Sequence, residues 1–253
     1  MTSPQHRGGA DSSPCQVCAV RSVAICAALQ PADLGRLAEI AQSLKVEAGQ
    51  VVFSEGEPGD ALYTVTSGMV KLYKLLPDGR RQITGFLTEG DFLGLAFAEI
   101  TACTAEAVQA STLCRFPRRR LEALFDQLPN LQRRLFAVTT AELGEALDQM
   151  LLLGRKTARE KICSFLLRRS ERAGRHGGPG NPVAMPMSRA DIADYLGLTT
   201  ETVSRTFTQL KTAGVIALLD GNRVLIADPG ALAAIAGRCD AGMKFSTAPH
   251  TTD

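Results

Sequence analysis

Soft thiolate sulfur binds zinc, copper(I) and iron–sulfur clusters, and three cysteines crowd the start of this chain as C-x2-C-x7-C: Cys15, Cys18 and Cys26. A lone Cys114 lies far along the chain, just ahead of Arg118-Arg119-Arg120, with Cys103 shortly before it. Four thiolates are the usual complement of an iron–sulfur cube, and a clustered trio with one distant ligand pins an N-terminal arm onto a folded domain. The same number suits tetrahedral Zn²⁺. Cys15 and Cys18 by themselves would suit thiol–disulfide chemistry in a redox enzyme or carrier, although no substrate-pocket signature accompanies them. Spacing alone leaves both Cys103 and Cys114 open as the fourth ligand. Cys163, among Ile162, Phe165 and Leu166, reads as core.

A second set of side chains, near the far end, has the chemistry of base reading. Ser188-Arg189-Ala190-Asp191 resembles a capping box with Asp in place of Glu, and it starts a short helix through Ile192, Ala193 and Leu196. Gly197-Leu198-Thr199 turns the chain. A second helix over 200–213 buries Val203, Phe207 and Leu210, while Glu201, Ser204 and Arg205 share an outward N-terminal face. Arg205 can donate two hydrogen bonds to guanine O6 and N7, Glu201 can accept from cytosine N4, and Ser204 can serve a base or a phosphate. Residues 215–219 and 223–226 around Asp220-Gly221-Asn222 read as a hairpin wing. A solvated helix carrying Glu and Arg is the plainer reading, but turn, spacing and wing agree on DNA.

These groups need elements to hold them. Pro31 precedes a helical spacing over 33–44, through Leu34, Leu37, Ile40 and Leu44. Residues 46–116 then alternate short apolar runs with turn strings such as Glu57-Pro58-Gly59-Asp60, Ser67-Gly68 and Pro77-Asp78-Gly79, the pattern of an antiparallel sandwich or barrel. Over 130–153 only Gly144 interrupts a helix whose Phe136, Thr140, Leu143, Leu147 and Met150 step by four, three, four and three, a heptad seam; a helix packed on its own β domain is the plainer reading, and the length favours a dimer interface. Glu142, Glu145 and Asp148 flank that seam, so two copies side by side would associate weakly. A basic amphipathic helix is expected over 155–173, and 172–182 reads as a loop.

The chain of 253 residues exceeds one average domain, which favours two. Up to Leu153 it carries 14 Lys and Arg against 17 Asp and Glu, a net of −3; from Gly154 to Arg238 the counts are 13 and 7, a net of +6. The basic half is the one suited to a polyanion. No run of about 18 apolar residues occurs and the first thirty residues lack a basic segment followed by an apolar one. A cytoplasmic protein with no membrane association is expected. Seven cysteines, an odd number over a chain of this length, point to reduced thiols or metal ligands over a disulfide framework.

The strings Glu201-Thr202-Val203-Ser204-Arg205, Gly59-Asp60-Ala61-Leu62-Tyr63 and Ser67-Gly68, with the long helix and the wing, resemble the bacterial cyclic AMP receptor protein superfamily over residues 30–237. Gln82-Ile83-Thr84-Gly85-Phe86, Met150-Leu151-Leu152-Leu153 and the cysteine set are similar to its fumarate and nitrate reduction regulator (FNR) branch. The resemblance implies an α+β protein that is not an enzyme. It would comprise a cysteine-rich arm (1–30), a β-roll of the jelly-roll, cyclic-nucleotide-binding-like kind (31–129) and a dimerisation helix (130–154). A winged helix-turn-helix domain (155–238) and a disordered tail (239–253) would follow.

It further implies a transcription activator whose [4Fe-4S] cluster senses oxygen, a homodimer on TTGAT-type palindromes, and contact with RNA polymerase through the turn Pro77-Asp78-Gly79-Arg80-Arg81, which by its residues alone reads equally as a solvated hairpin. The branch's ligand position falls on Cys114, after a short strand, so the implied ligands are Cys15, Cys18, Cys26 and Cys114, with Cys103 a loop or partly buried thiol. The second gap of C-x2-C-x7-C is longer than the C-x2-C-x5-C of the branch's best-known member, and alphaproteobacterial relatives carry the longer form. Nitric oxide or thiol oxidation at the same cysteines would be alternative switches. Superfamily members that bind cyclic nucleotide carry Gly-Glu for the ribose and Arg-Ser or Arg-Thr for the phosphate. Here no Glu follows Gly94 in Phe92-Leu93-Gly94-Leu95, and no Arg lies between Asp91 and Cys114, so no cyclic nucleotide is expected.

Overall fold

The computed structural model describes Cys15 and residues 17–94, 99–175 and 180–237. Leu95 and the tail 239–253 lie outside these residues. After a 3-10 turn at Ile25–Ala28, Pro31 opens α1 (Pro31–Ile40) at a position where its missing N–H costs nothing. Leu34 and Leu37 turn inward. The helix is shorter than the spacing predicts, because the backbone goes extended at Ala41 and Leu44 joins β1 (Gln42–Val46). Leu44 fits both periods; the exposed Ser43 and Lys45 on either side of it fit only the strand.

Seven more strands follow: β2 (Val51–Phe53), β3 (Ala61–Ser67), β4 (Val70–Leu75), β5 (Arg81–Leu87), β6 (Phe92–Leu93), β7 (Thr104–Ala107) and β8 (Ser111–Pro117). They form two antiparallel four-stranded sheets, ordered β1-β8-β3-β6 and β2-β7-β4-β5, the expected β-roll. Tyr63, Val65, Val70, Leu87 and Leu113 fill the space between them. The turn into β4 requires glycine: Gly68 has φ +90°, and a Cβ there would lie 2.8 Å from the Ala110 carbonyl oxygen.

The outer face of the first sheet is covered by the N-terminal arm, α1, α2 (Arg118–Phe125) and the start of α3 (Pro129–Arg155). Ile25, Leu34, Leu62, Phe116, Leu121 and Leu131 meet there in one apolar cluster, so arm, sheet and long helix share a core. Among the described residues, no helix is long and apolar enough to cross a membrane.

The basic helix expected from 155 is interrupted: α3 ends at Arg155, and α4 (Ala158–Arg175) restarts after Thr157. Thr157 and Glu160 form a reciprocal cap, with the Thr157 N–H donating to Glu160 Oε2 at 2.7 Å and the Glu160 N–H to Thr157 Oγ1 at 3.4 Å. The string Thr157-Ala158-Arg159-Glu160 carries that signal. Helix α4 also runs into the segment expected as loop. Cys163 is fully buried in it.

β9 (Val183–Ala184) leads to α5 (Arg189–Leu196), and α6 (Thr200–Thr212) follows the turn at Gly197. β10 (Ile216–Leu219), β11 (Arg223–Ile226) and β9 make a three-stranded wing ordered β10-β11-β9, closed by Gly221 and Asn222 at positive φ; α7 (Pro229–Ile235) ends the fold.

Contacts divide the chain into two units, one of Met1–Gly154 with Met185–Thr200, the other of Arg155–Ala184 with Glu201–Asp253. The sequence cut at 154 is therefore crossed by α5, and charge is the reason. Asp191 completes the predicted capping box with Ser188 through Oδ2, while its Oδ1 accepts from Lys71 Nζ and Arg81 Nη2, both at 2.9 Å. Lys71 also meets Glu106 at 3.0 Å, and Arg81 Nε donates to Asp194 at 2.8 Å. At the other end of α5, Gln82 donates to the Asp194 carbonyl and Gln149 to that of Tyr195, at 2.7 and 3.0 Å. Burial pushes the Asp191 carboxyl up, but the Ser188 hydrogen bond and the bond and charge of Lys71 outweigh it and hold the group below the ordinary carboxylate range.

Lys71 and Asp191 expose only 8 % and 10 % of their side chains. Replacing Lys71 with Met strands Glu106 and Asp191 near one another without their shared cation, and should cost about 3–5 kcal/mol in urea unfolding. Because the Asp191 carboxyl is depressed, its contribution should be present at neutral pH and fade as pH falls below the ordinary carboxylate range.

Candidate metal centre and nucleic-acid interface

Four of the sequence-selected cysteines gather on the outer face of the first sheet. Cys114 lies inside β8 and does not follow a strand as expected; it faces away from Leu113, which points into the sandwich. Cys15 and Cys26 pack against the same apolar cluster as Cys114. The arm is stitched by Arg21 N–H to the Cys18 carbonyl at 3.1 Å and Ala24 N–H to that of Val20 at 2.9 Å. Arg134, in the second turn of α3, donates from Nη2 to the Val23 carbonyl at 2.8 Å, tying the Cys18–Cys26 loop to the long helix.

Electrostatics separates the two candidates for the fourth thiol. Cys114 is pushed up to about 12, first by burial and then by Cys15, Cys18 and Cys26, whose thiolates would repel a fourth. Cys26 is pushed up to about 11 by burial and by Cys18. The Cys103 thiol is raised by burial too, but its charged neighbours are Lys74 and Glu55; it sits in a bend before β7. Cys114 thus shares the arm cysteines' field, and Cys103 stands elsewhere.

Among the described residues, no three His, Cys, Asp or Glu side chains already stand in a metal-binding arrangement. The donor set nevertheless suits a thiophilic metal group. The thiols of Cys26 and Cys114, raised first by burial, need a nearby cation to become thiolates, and a coordinated metal would supply it. An unpartnered polar atom lies on the same face: Thr64, opposite Cys114 across the β3–β8 ladder, has a buried hydroxyl without a hydrogen-bond partner.

Inside the β-roll, a cavity of about 160 Å³ is lined by Phe53, Leu72, Phe92, Leu93, Cys103 and Arg118. Its guanidinium is engaged: Nε donates to the Gly59 carbonyl, Nη2 to that of Gly94 at 3.5 Å, and Nη1 lies 3.7 Å from Glu122.

On α6, Val203, Thr206, Phe207 and Leu210 are buried, and Glu201, Ser204 and Arg205 are exposed together at its N-terminal half. Along α3, Phe136 is 74 % exposed, and Thr140, Leu143, Leu147 and Met150 are exposed with it. A stripe of this kind on one helix is the surface a second helix covers.

Two family models match the chain: the cyclic nucleotide-binding domain over residues 43–128 and the Crp-like helix-turn-helix domain over 160–235. The nitrogen fixation regulation protein FixK of Bradyrhizobium diazoefficiens is 43 % identical over 222 residues, covering 88 % of this chain and 93 % of that protein. This chain belongs to the Crp/Fnr family. FnrL of Cereibacter sphaeroides, called a transcriptional activator protein, is 38 % identical over 218 residues, 85 % of this chain and 88 % of its own. The structure of FixK2 from Bradyrhizobium japonicum matches with TM-score 0.73 and 38 % identity, over 78 % of this chain and 97 % of that one. This Crp/Fnr protein is accordingly an FNR-type DNA-binding transcription regulator and not an enzyme, with the β-roll, long helix and helix-turn-helix of that family.

Sequence reasoning missed Thr64, Arg134 and the ion-pair set around Asp191. A threonine inside a β-branched strand carries no signal of its own, and the partners that Arg134 and Asp191 find in other elements are 110 or more residues away.

For the exposed triad on α6, Arg205→Ala should lose roughly 1–3 kcal/mol at one base pair of each half-site, the worth of a bidentate guanine contact. Glu201→Ala should relax preference at a different pair. Affinity for a panel of single-base variants of the half-site checks both; uniform weakening across the panel would make these residues phosphate contacts.

Proposed function

We propose that this Crp/Fnr protein is a homodimeric, oxygen-responsive transcription activator that holds a [4Fe-4S] cluster through Cys15, Cys18, Cys26 and Cys114. It binds TTGAT-type palindromes in the cytoplasm and controls anaerobic or microaerobic genes. The observation that carries the reading is the mutual field of Cys114 and the three arm cysteines on the core that also holds the start of α3. When bound, the cluster supplies an oxygen-labile set of iron–thiolate bonds.

The chain's own residues do the rest. Cys114 anchors the site to the rigid strand β8, and Cys15, Cys18 and Cys26 bring the arm to it. Arg134 and the apolar cluster link that arm to α3, whose seam at Phe136, Thr140, Leu143, Leu147 and Met150 meets a second copy. Flanking Glu142, Glu145 and Asp148 keep the association weak, so a few kcal/mol at the arm tip it. Dimerisation decides affinity, because two recognition helices must engage half-sites about one helical turn apart. The exposed turn residues Pro77, Asp78, Gly79 and Arg80 meet RNA polymerase, while Arg81, the last residue of that turn, is held by Asp191 and Asp194. The reading includes no cyclic nucleotide: among the described residues the Arg118 guanidinium beside the cavity is turned to the Gly59 and Gly94 carbonyls.

The test begins with iron and acid-labile sulfide in anaerobically purified protein. Cys114→Ala should lose both and lose anaerobic DNA binding, whereas Cys103→Ala should keep them. Zinc at unit stoichiometry in place of iron would overturn the oxygen-sensing reading. Sedimentation and DNA binding on one sample before and after air should show dimer fraction and affinity falling together; a cluster-free protein that stays fully dimeric and binds as before would refute the coupling. Leu143→Asp should leave iron content intact while abolishing the dimer, since it places two more carboxylates in the seam.

A further inference from the structure

Thr64 is 2 % exposed, and its hydroxyl is one of the few buried side-chain polar atoms without a hydrogen-bond partner among the described residues. A buried hydroxyl left unpaired is costly, and a fold keeps one where something outside the polypeptide completes it. Its position says what that would be. In the antiparallel ladder Thr64 stands directly opposite Cys114, with Ser43 beyond Cys114 on β1 and Phe92 beyond Thr64 on β6. Cross-strand partners project to the same face with Cβ atoms about 4.5–5.5 Å apart. That face is the one covered by the arm: Leu62, two residues before Thr64, and Phe116, two after Cys114, both belong to the cluster against which Cys15 and Cys26 pack.

We propose that Thr64 is a positioning and tuning residue for the metal–thiolate group, donating its Oγ1–H to a sulfur of that group beside Cys114. The inference rests on the cluster reading above and goes beyond its ligand set. A hydrogen bond to a cluster or thiolate sulfur withdraws electron density from it, raises the reduction potential and makes oxidative loss harder. Thr64 therefore sets how quickly the sensor responds to oxygen.

Three variants separate the hydroxyl from the volume around it. Thr64→Val keeps the shape and removes the donor; Thr64→Ser and Thr64→Ala share nearly the same loss of volume and differ in the hydroxyl. Iron and sulfide are assayed first on the anaerobic wild-type protein, then on each variant. With equal loading, Thr64→Val and Thr64→Ala should lose their visible absorbance in air about two- to tenfold faster than wild type, the range of one ordinary net hydrogen bond. Their midpoint potentials should fall, while Thr64→Ser keeps the wild-type rate and potential. In metal-free protein the sign reverses: Thr64→Val should melt at the same or a higher temperature than wild type, because the orphaned hydroxyl is gone.

Loaded Val and Ala variants that decay at the wild-type rate with unchanged potential would overturn the role of Thr64 and leave the cluster reading standing. A metal-free Thr64→Val protein that melts well below wild type would overturn it too, since the hydroxyl would then serve the fold. A wild-type protein without iron and sulfide would fail the cluster reading itself, and this inference with it.

Discussion

One apolar cluster constrains the whole β-roll side of this protein. The outer face of the first sheet has to be buried, and the chain does so with four pieces at once: the arm after Cys18, α1, α2 and the first turns of α3. Close-packed interiors pass displacement on to their neighbours. A change in how the arm lies on that face is therefore a change in the bed of the long helix. Arg134 makes the link directional, because its guanidinium reaches from α3 to a carbonyl between Cys18 and Cys26.

Thiol electrostatics bears on the same bed. Burial first, and then neighbouring thiols, raise Cys26 and Cys114 above the ordinary thiol range, so without a cation these groups stay protonated and contribute as small apolar side chains. A thiophilic metal group would convert them into charged ligands tied to one point.

The second constraint is charge at α5. Lys71, Arg81, Glu106, Asp191 and Asp194 form a largely buried set in which Asp191 serves the helix cap with one oxygen and two cations with the other. Buried ion pairs contribute little net stability but are intolerant of a missing partner, which makes them good determinants of a single geometry. Here that geometry is the seat of the first helix of the helix-turn-helix on strands β4 and β5, reinforced by Phe86 against Tyr195.

Much of this was legible in the chain because it depends on short-range pattern. Alternation and turn strings marked the β-roll, and the heptad steps marked α3. Ser188 with Asp191 marked the start of α5, and the face of Glu201, Ser204 and Arg205 followed from helical period alone. Where two local rules compete, the reading slipped. Leu44 satisfies both a helix and a strand period, and the break at Lys156 and Thr157 lies between two good helices, visible only through the cap from Thr157 to Glu160.

What the sequence could not decide is pairing over distance. It supplied two candidate fourth cysteines, and only the β1-β8-β3 register put Cys114, not Cys103, on the face of the arm. It supplied the charges of Lys71, Arg81 and Asp191 without their meeting, and a Thr64 indistinguishable from any strand threonine. Local sequence determines which way a residue points along its own element, since helix and strand periods are intrinsic to the backbone. Which residue it then faces depends on loop closure and the packing of remote elements, and that was decided by the tertiary fold.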